Sequence, residues 1–208
     1  MATLAVLCSG EGSRMAESTR QRGVPKHLLS LWDENMTSRI VRQAWDFVDS
    51  TLCVVAPGRG DLFRAHLPGV HVVEKQAGAP FLSDLTVLTQ HVADTSRIIV
   101  TTGDLVFDDD EARRAFALLA GDTHTRIIFG RESGLPIRLF GTSMTQLSRI
   151  VQTGTNPEKV SSVASTVLKI YLRDILFGRF RISRMKTLWN INREADYQAV
   201  LRNIWQIK

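Results

Sequence analysis

No stretch of this 208-residue chain approaches the roughly 20 consecutive apolar residues that a membrane-spanning helix needs. The opening MATLAVLCSG has no positive n-region and too short an apolar core for export, so a cytoplasmic protein without a membrane partner is expected. The two cysteines, Cys8 and Cys53, lie in apolar, strand-like runs without CxxC or Cys/His metal spacing. A disulfide scaffold and a zinc module are thereby excluded, and both residues read as reduced core thiols. The five histidines have no metal-ligand spacing either. There is no RNP aromatic motif, zinc finger, heptad zipper, internal repeat or low-complexity linker, so no nucleic-acid partner is expected.

What is present has the balance of an ordinary globular protein, with 44% hydrophobic and 23% charged residues. A domain averages roughly 150 residues, which makes 1–208 a single domain with at most a small added lobe. The formal charge of +5 is local: residues 169–208 hold nine Lys/Arg against three Asp/Glu, and the rest of the chain is close to neutral. That basic segment suits an anionic small molecule or a plain solvated face.

Apolar periodicity predicts strands at Leu4–Cys8, Thr51–Ala56, Val70–Glu74, Arg97–Thr102 and Arg126–Gly130, with a sixth around Lys186–Asn190. Helices are predicted near Ser38–Val48, Pro80–Ala93 and Asp109–Ala120, and from Glu194 to Trp205. Strand and helix alternating in this way imply an α/β protein, a three-layer α/β/α sandwich on a mostly parallel sheet. After Gly130 the rhythm changes to a Gly- and Pro-punctuated stretch without clear strands, followed by a helical pattern over 160–175 with one apolar face. That face packs on the core or serves as a lid or homodimer contact.

The richest segment follows the first strand. Cys8-Ser9-Gly10-Glu11-Gly12-Ser13-Arg14 carries two glycines at i and i+2, which let backbone N–H groups turn around an anion without a Cβ in the way. Met15 stands where the Rossmann fingerprint needs a third small residue, and the P-loop, HExxH, G-x-S-x-G and kinase motifs are absent. Downstream come Val24-Pro25-Lys26, then Glu74-Lys75-Gln76-Ala77-Gly78-Ala79, Thr102-Gly103-Asp104 and Trp189-Asn190-Ile191-Asn192. In order and spacing these resemble the nucleotidyltransferases of the GT-A-like fold, including sugar-1-phosphate, phosphoalcohol and molybdopterin-type members.

The resemblance implies an enzyme that joins an NTP to a phosphorylated small molecule with release of pyrophosphate, using Mg²⁺. It implies that Cys8, Ser9, Gly10, Glu11, Gly12, Ser13, Gln76 and Gly78 bind the NTP, that Arg14 and Lys26 are catalytic, and that Asp104 and Asn192 hold the metal. It divides the chain into an NTP-binding core over 1–130, an acceptor lobe over 131–185, and a closing strand and helix over 186–208. Physically, a guanidinium at Arg14 can pair with phosphate oxygens, and an ammonium at Lys26 can offset charge growing on the α-phosphate. Arg181 and Lys186, in the basic run before Asn192, are candidates for the acceptor phosphate. The alternatives are a GT-A-fold glycosyltransferase using an NDP-sugar and a non-catalytic nucleotide-binding regulatory protein. The Arg14 and Lys26 pair, suited to a triphosphate, argues against the first, and intact Asp104 argues against the second. Asp108-Asp109-Asp110 reads as a helix cap, and the adhesion tripeptide Arg59-Gly60-Asp61 as chance.

Overall fold

The computed structural model describes residues 2–10, 12–76, 82–93, 96–130, 139–153 and 180–202. In chain order these form β1 (Ala2–Cys8), α1 (Ala16–Arg22), β2 (Ser30–Leu31), β3 (Glu34–Asn35), α2 (Met36–Ala44), β4 (Ser50–Val55), α3 (Gly60–His66), β5 (His71–Glu74) and α4 (Leu82–His91). They continue with β6 (Arg97–Thr102), β7 (Leu105–Val106), α5 (Asp109–Gly121), β8 (Thr125–Phe129), β9 (Leu139–Ser143), α6 (Met144–Thr153), β10 (Phe180–Arg184), β11 (Trp189–Asn190) and α7 (Glu194–Arg202).

Side chains alternate across a strand, so a continuous apolar run serves two cores at once. Leu4, Val6 and Cys8 of β1 face Ile40, Ala44, Phe116 and Leu119 of α2 and α5. Ala5 and Leu7 face the opposite layer, where Leu85 and Leu88 of α4 meet Met144 and Leu147 of α6. Among the described residues the sheet between these layers has seven strands, in the order β10-β8-β9-β6-β1-β4-β5. Its pairings are parallel except at β9, which runs antiparallel to both β6 and β8. The expected three-layer α/β/α sandwich is therefore the fold.

Two strand expectations change. The stretch after Gly130 does contain a strand, β9, whose Leu139-Phe140-Gly141-Thr142-Ser143 is broken in its apolar pattern by Gly141. A Cβ there would come within 3.0 Å of the Leu119 carbonyl oxygen and of the Arg97 guanidinium, so glycine is demanded by close approach of α5. The sixth strand is also misplaced in the expectation. The strand that joins the sheet is β10, earlier in the chain, whereas Trp189–Asn190 pairs with β7 in a separate two-stranded ribbon. Of the segment 131–185, β9, α6 and β10 belong to the central body. The helix expected over 160–175 lies outside the described residues.

Asp108 caps α5, its carboxylate accepting from the backbone N–H groups of Asp110 (2.9 Å) and Glu111 (3.2 Å). Asp108→Ala is expected to cost about 1 kcal/mol in chemical denaturation, the usual worth of such a cap.

A third apolar cluster sits outside the two main layers and joins Met15, Leu29, Leu31, Met36, Val106, Ile191, Tyr197 and Val200. It lets α7 close on α1. Ser18 Oγ donates to Glu194 at 2.5 Å, the Tyr197 hydroxyl donates to the Ser30 carbonyl at 2.6 Å, and Arg22 bonds the same hydroxyl. The end of the described chain thus pins the helix that follows the glycine loop.

Candidate active site

The loops after β1, β4, β5 and β6 all leave the same edge of the sheet, its carboxyl edge, where open α/β proteins bind ligands. Lys26 and Asp104 meet there. Pro25, with φ −59° and ψ 154°, feeds a 3-10 turn over Lys26–Leu28, and this turn aims the Lys26 side chain back across the loop. Its Nζ donates to Asp104 Oδ2 at 2.5 Å, with side-chain exposures of 11% and 3%.

Gly12 has φ +70°, and a Cβ on it would lie 3.1–3.3 Å from the Cβ, Cγ and Cδ of Lys26. The second loop glycine therefore admits the Lys26 stem, beyond any room it leaves for a ligand. Gly12→Ala is expected to be strained in backbone and to displace the ammonium. The check is a larger fall in kcat than in melting temperature. On the other flank, the Gly103 N–H donates to the Leu7 carbonyl at 3.0 Å, and a Cβ at Gly103 would run into Cys8 Sγ. This is why the residue before Asp104 has no side chain, and how Asp104 comes to lie beside the end of β1.

Asn192 is delivered by the β7–β11 ribbon. Asn190 pairs with Leu105, and the Ile191 N–H donates to the Asp104 carbonyl at 2.9 Å, which sets Asn192 next along the chain beside Asp104. The cap of α7 comes from Asp196, whose carboxylate accepts from the N–H groups of Asn192 (3.0 Å) and Arg193 (2.8 Å). A carboxylate and an amide oxygen are hard donors suited to Mg²⁺ or Mn²⁺. Among the described residues no group of three His, Cys, Asp or Glu could enclose a metal by itself, so phosphate oxygens and water would complete the shell. The donor set fits a divalent ion brought in with a phosphate.

The remaining expected residues differ in where they lie. Gly10 and Arg14 are exposed at the loop, Arg14 without a hydrogen-bond or ion-pair partner among the described residues, and Gln76 is exposed just past β5. Ser13 opens the 3-10 turn that follows Gly12, whereas Glu11 and Gly78 lie outside the described residues. Cys8, Ser9 and Arg181 point elsewhere. The Cys8 thiol is in the core, 3.6 Å from Thr37 Oγ1, and its hydrogen bond to Cys53, with burial, holds the Cys53 thiol well above its ordinary pKa. Ser9 Oγ donates inward to Asp84 at 2.7 Å, so its one hydroxyl proton is not directed at a phosphate oxygen. Arg181 lies on edge strand β10, level with Arg126, and reaches to 3.8 Å from Asp122 at the amino side of the sheet. The structure therefore does not bring Arg181 to Asp104. Lys186 does stand at the carboxyl side, its backbone N–H held by Glu111 at the start of α5 and its side chain exposed.

Sequence reasoning missed three residues here. Asp84, fully buried in the first turn of α4, accepts from Ser9 and sits 3.3 Å from the Lys75 ammonium. Burial pushes its pKa up, and the bonds from Ser9 and Lys75 oppose that rise. His27 is 2% exposed, packed against the Gly103 turn, and its Nδ1 has no hydrogen-bond partner among the described residues. Burial pushes its pKa down to about 3 against the pull of Asp104, with Lys26 and Arg59 adding to the fall, so the imidazole is neutral. Arg59 is thus close enough for its charge to be felt at the floor of the site. Spacing in the sequence carries no signal for any of these contacts.

Residues 4–163 match the family model of the MobA-like NTP transferase domain. No curated protein sequence matches the chain. Among solved structures, a Bacillus anthracis protein put forward as a glucose-1-phosphate thymidylyltransferase superposes with a TM-score of 0.77 at 13% identity, over 100% of this chain and 97% of that one. A nucleotidyl transferase from Methanothermobacter gives a TM-score of 0.72 at 22% identity, over 100% of this chain and 99% of that one. A Mycobacterium tuberculosis protein solved in complex with manganese gives 0.63 at 19% identity, over 97% of this chain and 98% of that one.

Proposed function

The chain belongs to the MobA-like NTP transferase domain family and is a nucleotidyltransferase; on that premise we propose that it joins an NTP to the phosphate of a phosphorylated small molecule, a sugar 1-phosphate or a phosphoalcohol, and releases pyrophosphate. The observation that carries this reading is the buried Lys26–Asp104 pair beside a glycine loop that packs on the lysine stem. A cation for the α-phosphate and a carboxylate for a metal stand within one hydrogen bond of each other.

In this reading the backbone of Gly10, Gly12 and Ser13, together with Glu11, cradles the triphosphate, and Gln76 and Gly78 flank the nucleoside. Arg14, exposed and unpaired among the described residues, would hold the β- and γ-phosphates and the departing pyrophosphate. Lys26 moves its ammonium from Asp104 to the α-phosphate oxygens as the acceptor oxygen attacks in line, offsetting the charge that develops there. Asp104 and Asn192 would hold the Mg²⁺ or Mn²⁺, which supplies charge neutralisation of the phosphates when bound. Lys186 is the acceptor-phosphate candidate that the carboxyl edge retains. No helix among the described residues is long and apolar enough to cross a membrane. A cytoplasmic site of action is part of the proposal.

The test is a pyrophosphate-release screen of four NTPs against phosphorylated sugars and alcohols with Mg²⁺ or Mn²⁺. One NTP and acceptor pair turning over with stoichiometric pyrophosphate is the expected result. Release of a nucleoside diphosphate from an NDP-sugar, without pyrophosphate from any NTP, would replace this reading with the glycosyltransferase one.

A further inference from the structure

Arg59 stands in the loop between β4 and α3, on the carboxyl edge, and Val55 at the end of β4 pairs with Cys8 at the end of β1. The loops that carry Arg59 and Gly10 are therefore neighbours. The Arg59 loop is held rigidly. Glu74, the last residue of β5, accepts from the Gly58 N–H at 2.7 Å and from the Gly60 N–H at 2.8 Å, one on each side of Arg59. Gly60 is required for that clamp, since a Cβ there would lie 2.5 Å from Glu74 Oε1. Held by this frame, the Arg59 Nη1 is buried and has no hydrogen-bond partner among the described residues. An unpaired guanidinium N–H out of water is destabilising and calls for a partner beyond the described residues.

We propose that Arg59 is a further binding residue for the triphosphate of the nucleotide, entering the glycine loop from the β4 side while Lys26 enters from the β6 side. The charges support a phosphate partner. A nucleoside triphosphate carries about four negative charges at neutral pH. A divalent ion, Arg14, Lys26 and Arg59, less the charge on Asp104, supply about four positive ones, and without Arg59 the bound complex is left with an unbalanced anion in a partly buried site. Val55 beside Cys8 sets the Arg59 loop on the β4 flank of β1, and Thr102 beside Leu7 sets Asp104, with Lys26, on the β6 flank. Arg59 is a binding residue in this account, and Lys26 keeps the transition-state role. The inference rests on the nucleotidyl-transfer reading and narrows which cations it uses.

The experiment measures binding by calorimetry, with Mn²⁺ present, of inorganic tripolyphosphate and of the NTP and NMP of one nucleoside, to the wild type, Arg59→Met and Arg59→Lys. Melting temperature is recorded with and without ligand. In Arg59→Met, affinity for tripolyphosphate and for NTP is expected to fall at least about tenfold, the low end for a lost charge-assisted hydrogen bond. NMP affinity stays near wild type, and Arg59→Lys recovers part of the loss. Without ligand, the melting temperature of Arg59→Met is expected to equal or exceed that of wild type, because an unpaired buried donor has been removed. A residue serving only the loop's structure would lower that temperature and leave the ratio of NTP to NMP affinity unchanged, which overturns the proposal. Equal loss for NMP and NTP overturns it too, because the contact is then with the nucleoside. If wild type binds neither tripolyphosphate nor any NTP, the nucleotidyl-transfer reading falls and takes this inference with it.

Discussion

Asp104→Asn is expected to lower kcat by about three orders of magnitude, the several kcal/mol that a divalent ion contributes when it stabilises phosphoryl charge. The structure adds a cost in stability that spacing could not show. Asp104 Oδ2 is the hydrogen-bond partner of an ammonium only 11% exposed. Removing one member of a buried pair leaves the other charged and uncompensated. An amide oxygen keeps one hydrogen bond, so a loss of about 2 kcal/mol in unfolding free energy is expected rather than collapse. The double variant Asp104→Asn/Lys26→Met should regain stability and remain inactive. Wild-type turnover in the single variant at limiting Mg²⁺ would remove Asp104 from the metal site, whatever its effect on stability.

Lys26→Met, taken alone, is expected to produce opposite changes in two measurements. kcat should fall about a hundredfold or more, as for loss of a preorganised donor to developing charge. Affinity for Mn²⁺ without nucleotide, read by electron paramagnetic resonance, should instead rise about tenfold, because in wild type the ion must displace the ammonium at 2.5 Å before it can use that carboxylate oxygen. By the same linkage, wild type should bind metal and NTP together far better than either alone, since each relieves the charge that the other leaves behind. Lys26→Met should lose that coupling. Unchanged or weaker Mn²⁺ binding in this variant would mean that the pair does not oppose the ion.

The parts of the site that could be read early are those with local causes. Gly10, Gly12, Pro25, Lys26, Gly103 and Asp104 stand out because a tight turn, a fixed φ or a missing Cβ constrains a few consecutive residues. The structure then supplies a second reason for two of these glycines, since Gly12 clears the Lys26 stem and Gly103 clears Cys8. Contacts set by strand order were not legible. Ser9 seemed to face a ligand until Asp84, 75 residues away, took its hydroxyl, and Arg181 seemed near Asn192 until β10 became the edge strand beside β8.

From sequence alone come the α/β alternation, the glycine loop and the order of the motifs, because apolar period and turn chemistry act over a handful of neighbours. Tertiary structure decided which strand β9 became, since Gly141 makes sense only with Leu119 and Arg97 against it. It also decided that Arg59, part of a tripeptide without meaning in one dimension, stands in the loop next to the glycine loop. Such assignments depend on which loops the sheet order makes neighbours, and that order is settled by packing between segments far apart in the chain.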